Sequence, residues 1–155
     1  LGEGPLRPEL TALTERLGVA DRVHLWGYRA NPFPLFARAD LFVLSSHHEG
    51  FPGVLVEALA AGAKGLVATD CPHGPREILD EGRCGWLVPP NDGPELARGL
   101  RDGLDQSDET ARRTELARTH VRRLCSRETT LSRLETLLET VVSEHDPAWS
   151  SEQDG

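Results

Sequence analysis

The feature that most constrains the fold is a short run of apolar residues, Leu41-Phe42-Val43-Leu44, with polar residues on both sides. Side chains of a strand alternate between two faces, so a strand that is apolar at every position needs cover on both faces. Such cover is typical of a parallel sheet between layers of helices. We therefore predict a central strand over residues 41–45 of an α/β domain.

Other short apolar runs alternate with helical patterns along the chain. Further strands are predicted at residues 23–26, Leu66–Thr69 and Trp86–Val88. Apolar spacing and capping residues predict helices at 7–17, one turn within 35–39, Gly53–Ala61, a short helix to Leu79, 95–104, a helix that follows Ser107 and runs to about Leu124, and a last helix capped by Ser126. This β–α alternation predicts a Rossmann-like parallel sheet flanked by helices.

The last predicted helix ends in a polar segment. Its apolar residues at helical spacing, which we expect to be buried, are Leu131, Leu134, Leu137, Leu138 and Val141. From Ser143 onward polar residues prevail, and such a composition cannot bury enough apolar surface to fold. A chain of 155 residues suits one core. We predict one domain over residues 1–142 and a disordered tail over residues 143–155.

Composition narrows the class of partner. The formal net charge of -8 argues against binding to a nucleic-acid backbone, which needs a basic surface. Cys71, Cys84 and Cys125 lack the close spacing of metal or redox motifs, and free thiols favour a reducing, cytoplasmic compartment. No apolar run approaches the roughly 20 residues that span a bilayer. We therefore expect a small-molecule partner.

Two glutamates, Glu49 and Glu57, flank a Gly-Phe-Pro turn that leads into a predicted helix. The start of a helix presents free backbone N–H groups and the positive end of the helix dipole, which together suit a phosphate. Carboxylates accept hydrogen bonds from sugar hydroxyls. The segment 49–57 is therefore a candidate site for a phosphorylated sugar.

Each of these residues also has a simpler interpretation. Two glutamates eight positions apart are most often solvated, and a glycosidase pair would need its carboxyl groups about 5–10 Å apart across one bond. His47 and His48 point to opposite sides of an extended segment without a third ligand at suitable spacing, so we expect no metal. Cys71 has no base nearby in sequence, which favours a small buried thiol over a nucleophile.

Arginines supply two further candidate surfaces. Gly74-Pro75-Arg76-Glu77 is either a second anion-binding helix start, with Arg76 reaching a phosphate or acceptor, or an ordinary turn with Arg76 in solvent. A basic side of the later helices is either solvated or in peripheral contact with anionic lipid, and it comprises Arg112, Arg113, Arg118, Arg122, Arg123 and Arg127. Both alternatives stay open at this point.

Several motifs occur in order and together carry a family resemblance. They are Gly2-Glu3-Gly4-Pro5, Asp21-Arg22-Val23-His24-Leu25 with Gly27-Tyr28, Ala39-Asp40-Leu41-Phe42-Val43-Leu44-Ser45-Ser46, Glu49-Gly50-Phe51-Pro52 with Glu57-Ala58, and Ala68-Thr69-Asp70-Cys71-Pro72 with Gly74-Pro75-Arg76-Glu77-Ile78-Leu79. Over residues 1–142 the chain resembles the C-terminal, donor-binding domain of group 1 glycosyltransferases. More closely, it is similar to the retaining enzymes of family four, which have the GT-B fold of two facing Rossmann-like domains.

The resemblance implies roles for particular residues. Glu57 would hold the ribose hydroxyls of a nucleotide diphosphate sugar, and Glu49 would face the donor sugar and stabilise positive charge at its anomeric carbon. The backbone amides of Gly50, Phe51, Val54 and Leu55 are candidates for the sugar and diphosphate contacts, with Pro52 in the same turn and Gly4 in the glycine loop at the start of the chain. By its position at the end of the predicted strand 23–26, the loop at Gly27 and Tyr28 is a candidate nucleobase contact, and we expect His48 to line the donor pocket. The donor would be linked to UDP or GDP, with no cofactor.

The implied reaction of the whole enzyme is transfer of a hexose or N-acetylhexosamine to a glycan, lipid-linked or small-molecule acceptor, with retention of configuration. The chain opens on a glycine loop without a preceding strand or initiator Met, so we infer that an N-terminal acceptor domain is missing and that the fragment alone is inactive. Gly62-Ala63-Lys64-Gly65 also lacks the proline usual in this family. The alternatives are a non-catalytic nucleotide-sugar binding module or decayed fragment, and a nucleotide-sugar epimerase of the same fold.

Overall fold

The computed structural model describes residues 1–145, with side chains described to residue 142. Its sheet contains β1 (Phe42–Leu44), β2 (Leu66–Thr69) and β3 (Trp86–Val88), all parallel and in the order β1-β2-β3. The helices are α1 (Arg7–Arg16), α2 (Phe33–Phe36), α3 (Gly53–Ala61), α4 (Pro75–Ile78), α5 (Gly93–Asp105), α6 (Ser107–Leu124) and α7 (Arg127–His145). The predicted α/β class with a parallel sheet is confirmed.

The middle strand of the sheet is β2, and the prediction that residues 41–45 form the central strand was wrong. Every residue of β2 is buried, whereas β1 lies at an edge of the sheet and leaves Val43 39% exposed. Composition favours the opposite assignment, because β1 is apolar at every position whereas β2 ends in Thr69. The order of the strands is set by their pairing, in which β2 forms hydrogen bonds with both β1 and β3.

The strand predicted at residues 23–26 does not form, so the sheet of the described residues has three strands where four were predicted. This segment is tied instead to the start of the chain, because the Arg7 side chain donates to the Leu25 carbonyl and the Gly2 N–H donates to the Gly27 carbonyl at 2.9 Å. Helix α1 forms almost as predicted but buries no residue, and Leu17 after it is 64% exposed. Its predicted amphipathic packing was therefore wrong for the described residues.

Helix α5 packs against β2 and β3, and α6 packs against α5, with small residues and buried hydroxyls at these contacts. The predicted cap of α5 is present, since the Asp92 carboxylate accepts from the Glu95 N–H at 3.0 Å. Glycine at position 99 allows α5 to approach β3, because a Cβ there would lie 2.7 Å from a methyl of Val88. The Thr114 hydroxyl donates to the Lys64 carbonyl at 2.7 Å and thereby joins α6 to the segment before β2.

The apolar stripe of α7 is exposed, contrary to the prediction that it would be buried. Exposures of Leu131, Leu134, Leu137, Leu138 and Val141 lie between 44% and 59%. Helical spacing predicts that one face is apolar, but it does not supply the surface that covers that face. The helix continues through residues 143–145, where the tail was predicted to begin. The rest of the predicted tail, residues 146–155, lies outside the described residues.

A cluster of charges on α6 leads to a prediction about acid stability. Hydrogen bonds from Arg112 and Arg113 lower the pKa of Glu109 to about 2. Because this pKa lies below the usual value of about 4.5, the ionised carboxylate stabilises the fold at higher pH, and this contribution is lost as the pH falls toward 2. We expect Glu109→Gln to reduce the free energy of unfolding at pH 6, and this difference to shrink steadily between pH 5 and 2.

Urea denaturation of both proteins across this pH range measures the difference. Arg113 also lies over Trp86, with its guanidinium carbon 4.1 Å from the ring centroid, and Glu109→Gln leaves both of these residues unchanged. Because Glu109 is 30% exposed, the charge contribution is reduced by solvent. A difference that stays constant between pH 6 and 2 would show that Glu109 acts through packing and not through its charge.

Candidate functional site

The loops that follow β1 and β2 meet at the carboxyl edge of the sheet. The Thr69 hydroxyl, at the end of β2, donates to the Ser46 carbonyl at 2.6 Å, and the Asp70 N–H donates to the Val88 carbonyl at 2.7 Å. These bonds join the ends of all three strands. Ligands of open α/β sheets bind at this edge, so the predicted segment 49–57 lies where a substrate is expected.

Gly74 lies directly against the turn between β1 and α3. A Cβ at this position would lie 2.3 Å from Cδ of Pro52 and 2.9 Å from the Gly50 carbonyl oxygen. Gly74 also has φ +84° and ψ -60°, a conformation that residues with a side chain rarely adopt. The turn that contains Gly50, Phe51 and Pro52 therefore packs directly on the backbone of Gly74, a position that only glycine suits.

Helix α3 begins at this turn, and its first residues decide which backbone N–H groups face outward. Pro52 precedes the helix and provides no side-chain cap. The Leu55 N–H donates to the Pro52 carbonyl at 2.9 Å, and the Leu55 side chain is fully buried. The Leu55 amide, a predicted donor contact, is therefore already engaged by the protein. The amides of Gly50, Phe51 and Val54 stay the candidates for anion contacts.

The two glutamates of the motif lie in different surroundings. Glu49 is half-buried, and its Oε1 accepts a hydrogen bond of 2.7 Å from the Ser46 hydroxyl. Glu57 lies in the second turn of α3 and is exposed. Glu49 is thus held by the protein in one orientation, whereas the Glu57 carboxylate is open to a ligand from solvent.

Arg76 is held by two carboxylates beside this turn. Its guanidinium forms ion pairs with Asp70 and with Glu81, the latter at 2.6 Å, and these partners raise its pKa. The side chain is 53% exposed and borders an open cavity of about 740 Å³ that begins at Gly50 and Gly74. Its charge is therefore shared with protein groups, and contact with a phosphate or acceptor stays a prediction.

Residues 1–106 of the sequence match the family model of glycosyl transferases group 1. The chain belongs to the group 1 glycosyltransferases. The match begins at the first residue and includes the whole turn between β1 and α3, together with Gly74 and Arg76.

Individual glycosyltransferases are also similar to this chain in sequence. N-acetylgalactosamine-N,N'-diacetylbacillosaminyl-diphospho-undecaprenol 4-alpha-N-acetylgalactosaminyltransferase of Campylobacter jejuni is 36% identical over 105 residues, which are 68% of this chain and 28% of that enzyme. Alpha-D-kanosaminyltransferase of Streptomyces kanamyceticus is 32% identical over 118 residues, which are 75% of this chain and 30% of that enzyme. The chain thus spans about 30% of the length of these two relatives.

Solved structures agree with the fold. HepE of Anabaena, in complex with UDP, is 30% identical with a TM-score of 0.73, covering 85% of this chain and 36% of that one. TarM of S. aureus is 23% identical with a TM-score of 0.78, covering 88% of this chain and 27% of that one, and this likeness concerns the fold alone. The predicted Rossmann-like domain of a GT-B glycosyltransferase is confirmed.

The remaining predicted donor residues of the glycosyltransferase form a separate group near the start of the chain. Gly27 is buried with φ +67°, and a Cβ there would lie 2.8 Å from the Glu3 carboxylate. Tyr28 is 78% exposed, and Gly4 lines a neighbouring cavity of about 450 Å³. The nucleobase role of Gly27 and Tyr28 was inferred from the end of a strand at residues 23–26. That strand is absent from the described residues, so the role stays a prediction without its structural premise.

The histidines and cysteines have simpler surroundings. His48 is exposed beside Glu49, and its contact with donor stays a prediction. Cys71 is buried, as predicted for a packed thiol, and burial raises the pKa of the Cys84 thiol.

Within residues 1–145 no cluster of His, Cys, Asp or Glu has the arrangement of a metal site. The helices of this part of the chain include none that is both long and apolar enough to cross a bilayer.

The sequence prediction did not include Ser46 and Thr69 among the site residues. Ser46 precedes Glu49 with the Ser-x-x-Glu spacing of a capping box, yet it lies in a loop, where that spacing is not diagnostic. Thr69 is 23 positions away and reaches Ser46 only because β1 and β2 are neighbours. The spacing was therefore visible in the sequence, whereas the contact with Thr69 was not.

Proposed function

We propose that this chain is the donor-binding domain of a retaining glycosyltransferase that uses a nucleotide diphosphate sugar linked to UDP or GDP. The transferred group would be a hexose or N-acetylhexosamine, and the acceptor a glycan, a lipid-linked saccharide or a small molecule. The proposal includes a second, acceptor-binding domain outside this chain. It also implies that the 155 residues by themselves do not catalyse transfer.

The observation that carries the proposal is the arrangement of segment 49–57. An uncapped helix start, a half-buried carboxylate and an exposed carboxylate follow one strand at the carboxyl edge of the sheet. The helix start suits the diphosphate, Glu49 the sugar and Glu57 the ribose diol. No single one of these features specifies a nucleotide sugar, but their order along nine residues, Glu49, then the helix start, then Glu57, matches the order of sugar, diphosphate and ribose in such a molecule.

The names of relatives support the donor and acceptor classes. HepE was solved with UDP and also with UDP and glucose. The Campylobacter jejuni relative acts on a saccharide joined through a diphosphate to undecaprenol, and a relative from Rhizobium meliloti serves lipopolysaccharide core biosynthesis. We include polysaccharide biosynthesis, and peripheral contact with the inner face of a membrane that would present a lipid-linked acceptor, in the proposal.

The proposed reaction breaks the bond between the anomeric carbon and the diphosphate oxygen and forms a bond from that carbon to an acceptor oxygen. The acceptor hydroxyl passes its proton to the departing diphosphate, so charge and atoms balance without a cofactor. Amides at the start of α3 stabilise the negative charge on the diphosphate, and Glu49 stabilises the positive charge on the sugar. No separate base is needed in this domain.

A substitution at Glu57 tests the proposed donor site. In the full protein that contains these 155 residues, Glu57→Gln should weaken the binding of a UDP- or GDP-sugar about tenfold, because a charged acceptor of the ribose diol is lost. The nucleoside diphosphate itself should lose affinity by the same factor, since the ribose is common to both. Calorimetric titration with both ligands measures these affinities.

The control is Glu115→Gln, which replaces an exposed glutamate on α6 and should leave both affinities unchanged. If the parent protein binds neither UDP- nor GDP-sugars, the proposed function is wrong. Binding without any transfer to acceptor or water would favour a non-catalytic module, and conversion of the donor into an epimer would favour the epimerase. The anomeric configuration of the product, determined by NMR, tests retention.

A further inference from the structure

Ser46 and Thr69 form a chain of hydrogen bonds that ends on the carboxylate of Glu49. The Ser46 hydroxyl donates to Glu49 Oε1 at 2.7 Å. The Thr69 hydroxyl has one proton and lies 2.6 Å from the Ser46 carbonyl oxygen and 3.3 Å from that of Leu44. The shorter distance identifies Ser46 as the main acceptor. Glu49 is thus connected through two hydroxyl groups to the middle strand of the sheet.

Thr69, at the inner end of this chain of hydrogen bonds, is held rigidly. Thr69 is 5% exposed and is the last residue of β2, which is buried throughout. If Thr69 lost the Ser46 carbonyl as its acceptor, its buried hydroxyl would keep only the longer contact to the Leu44 carbonyl at 3.3 Å, so the bond to Ser46 is favoured. The loop after β1 therefore has a fixed point at Ser46, three residues before Glu49.

The Ser46 hydroxyl, at the outer end of this chain of hydrogen bonds, orients the Glu49 carboxylate. A glutamate in a loop has many rotamers, and their loss on binding reduces affinity for a ligand. The bond from Ser46 occupies Oε1 and restricts the carboxylate before any ligand arrives. Within the described residues this is the hydrogen bond that the Glu49 side chain makes, so Oε2 remains to accept from a ligand hydroxyl.

We propose that Ser46 is a positioning residue that holds Glu49 in the orientation required by the donor sugar, with Thr69 as its anchor on β2. This rests on the proposed function, because it assumes that Glu49 faces the sugar of the donor. Ser46 acts through Glu49 and does not touch the reacting atoms. Its effect is therefore confined to those ligands that carry the sugar.

The test compares two ligands in the full protein, a nucleoside diphosphate and the corresponding nucleotide sugar. Ser46→Ala should weaken binding of the nucleotide sugar about tenfold and leave the nucleoside diphosphate unchanged, since a hydrogen bond to a charged group has been lost only on the sugar side. Ser46→Thr keeps the hydroxyl and should restore most of the loss. Ser45→Ala, at an exposed neighbouring serine, should change neither affinity.

A double-mutant cycle distinguishes positioning from a direct role. In a Glu49→Ala background Ser46 has no carboxylate to hold, so Ser46→Ala should cause about threefold further loss or less. A Ser46→Ala protein that loses affinity for both ligands equally, or for neither, would overturn the proposal while leaving the proposed function intact. Full tenfold loss in the Glu49→Ala background would also overturn it, because Ser46 would then act without Glu49.

Thr69 supplies a second measurement. Thr69→Ser retains the hydroxyl and should behave as the parent protein, whereas Thr69→Val leaves the Ser46 carbonyl without this donor and should reproduce the sugar-specific loss. If Thr69→Val fails to fold, Thr69→Ser and Ser46→Ala still decide the question. A parent protein that binds no nucleotide sugar would contradict the proposed function itself, which is a different result from any of those above.

Discussion

Glu49→Gln is expected to lower the rate of donor turnover in the full protein by about 100-fold or more. Glutamine has nearly the same shape as glutamate, and its amide oxygen can still accept the hydrogen bond of the Ser46 hydroxyl. The substitution therefore removes the charge and keeps the geometry. Positive charge develops on the sugar only as the bond to the diphosphate breaks, so the loss should fall on kcat and much less on donor binding.

The rate can be measured without knowledge of the acceptor, as the release of nucleoside diphosphate when water accepts the sugar. We expect the affinity for the nucleotide sugar to change by less than about tenfold in the same protein. Glu115→Gln is a suitable control, because it alters an exposed carboxylate on α6 that is not among the candidate site residues. If kcat is unchanged in Glu49→Gln, Glu49 has no part in the reaction.

Gly74→Ala is expected to have the largest effect on the shape of the site. The new Cβ would meet Pro52 at 2.3 Å and the Gly50 carbonyl oxygen at 2.9 Å, and both belong to backbone or to a rigid ring. Backbone strain at positive φ and overpacking together predict a loss of about 3 kcal/mol in the free energy of unfolding. Because the turn of residues 50–52 must shift, affinity for nucleotide sugar should also fall at least about tenfold.

Gly82→Ala provides a control matched in backbone angle. Gly82 has φ +85°, close to the +84° of Gly74, but a Cβ there would meet nothing nearer than Leu87 Cβ at 3.7 Å. We expect a loss of about 1 kcal/mol from strain alone and no change in donor affinity. Urea denaturation and calorimetric titration measure both quantities. Equal donor affinities in the two variants would show that the turn at Gly50 does not depend on Gly74.

The elements that could be predicted from sequence are those whose signals are local. Helix α3 has the predicted bounds, and it ends at Ala61 because Gly62 adopts φ +100°, which stops a helix. Strands β2 and β3 also have the predicted bounds. Helix α6 begins one residue before its predicted start and ends at Leu124, near which its end was predicted, and the cap of α5 at Asp92 was identified. Each of these features depends on residues within a few positions of one another.

The features that could not be predicted depend on a neighbour elsewhere in the chain. Residues 23–26 have the apolar character of a strand, yet a strand needs a partner with which to exchange hydrogen bonds. The stripe at Leu134 has helical spacing, but burial requires a covering surface, and among the described residues the stripe stays exposed. The edge position of β1 follows in the same way from the order of pairing.

The candidate site likewise has features that depend on nearby residues and features that depend on residues distant in sequence. Sequence alone determined that Glu49 and Glu57 flank a Gly-Phe-Pro turn at a helix start, because composition and spacing along nine residues contain that chemistry. Only the tertiary structure decided that the Leu55 amide is engaged, that Gly74 supports the turn and that Thr69 and Ser46 hold Glu49. These contacts arise when parallel strands bring their carboxyl ends to one edge, which joins residues more than 20 positions apart.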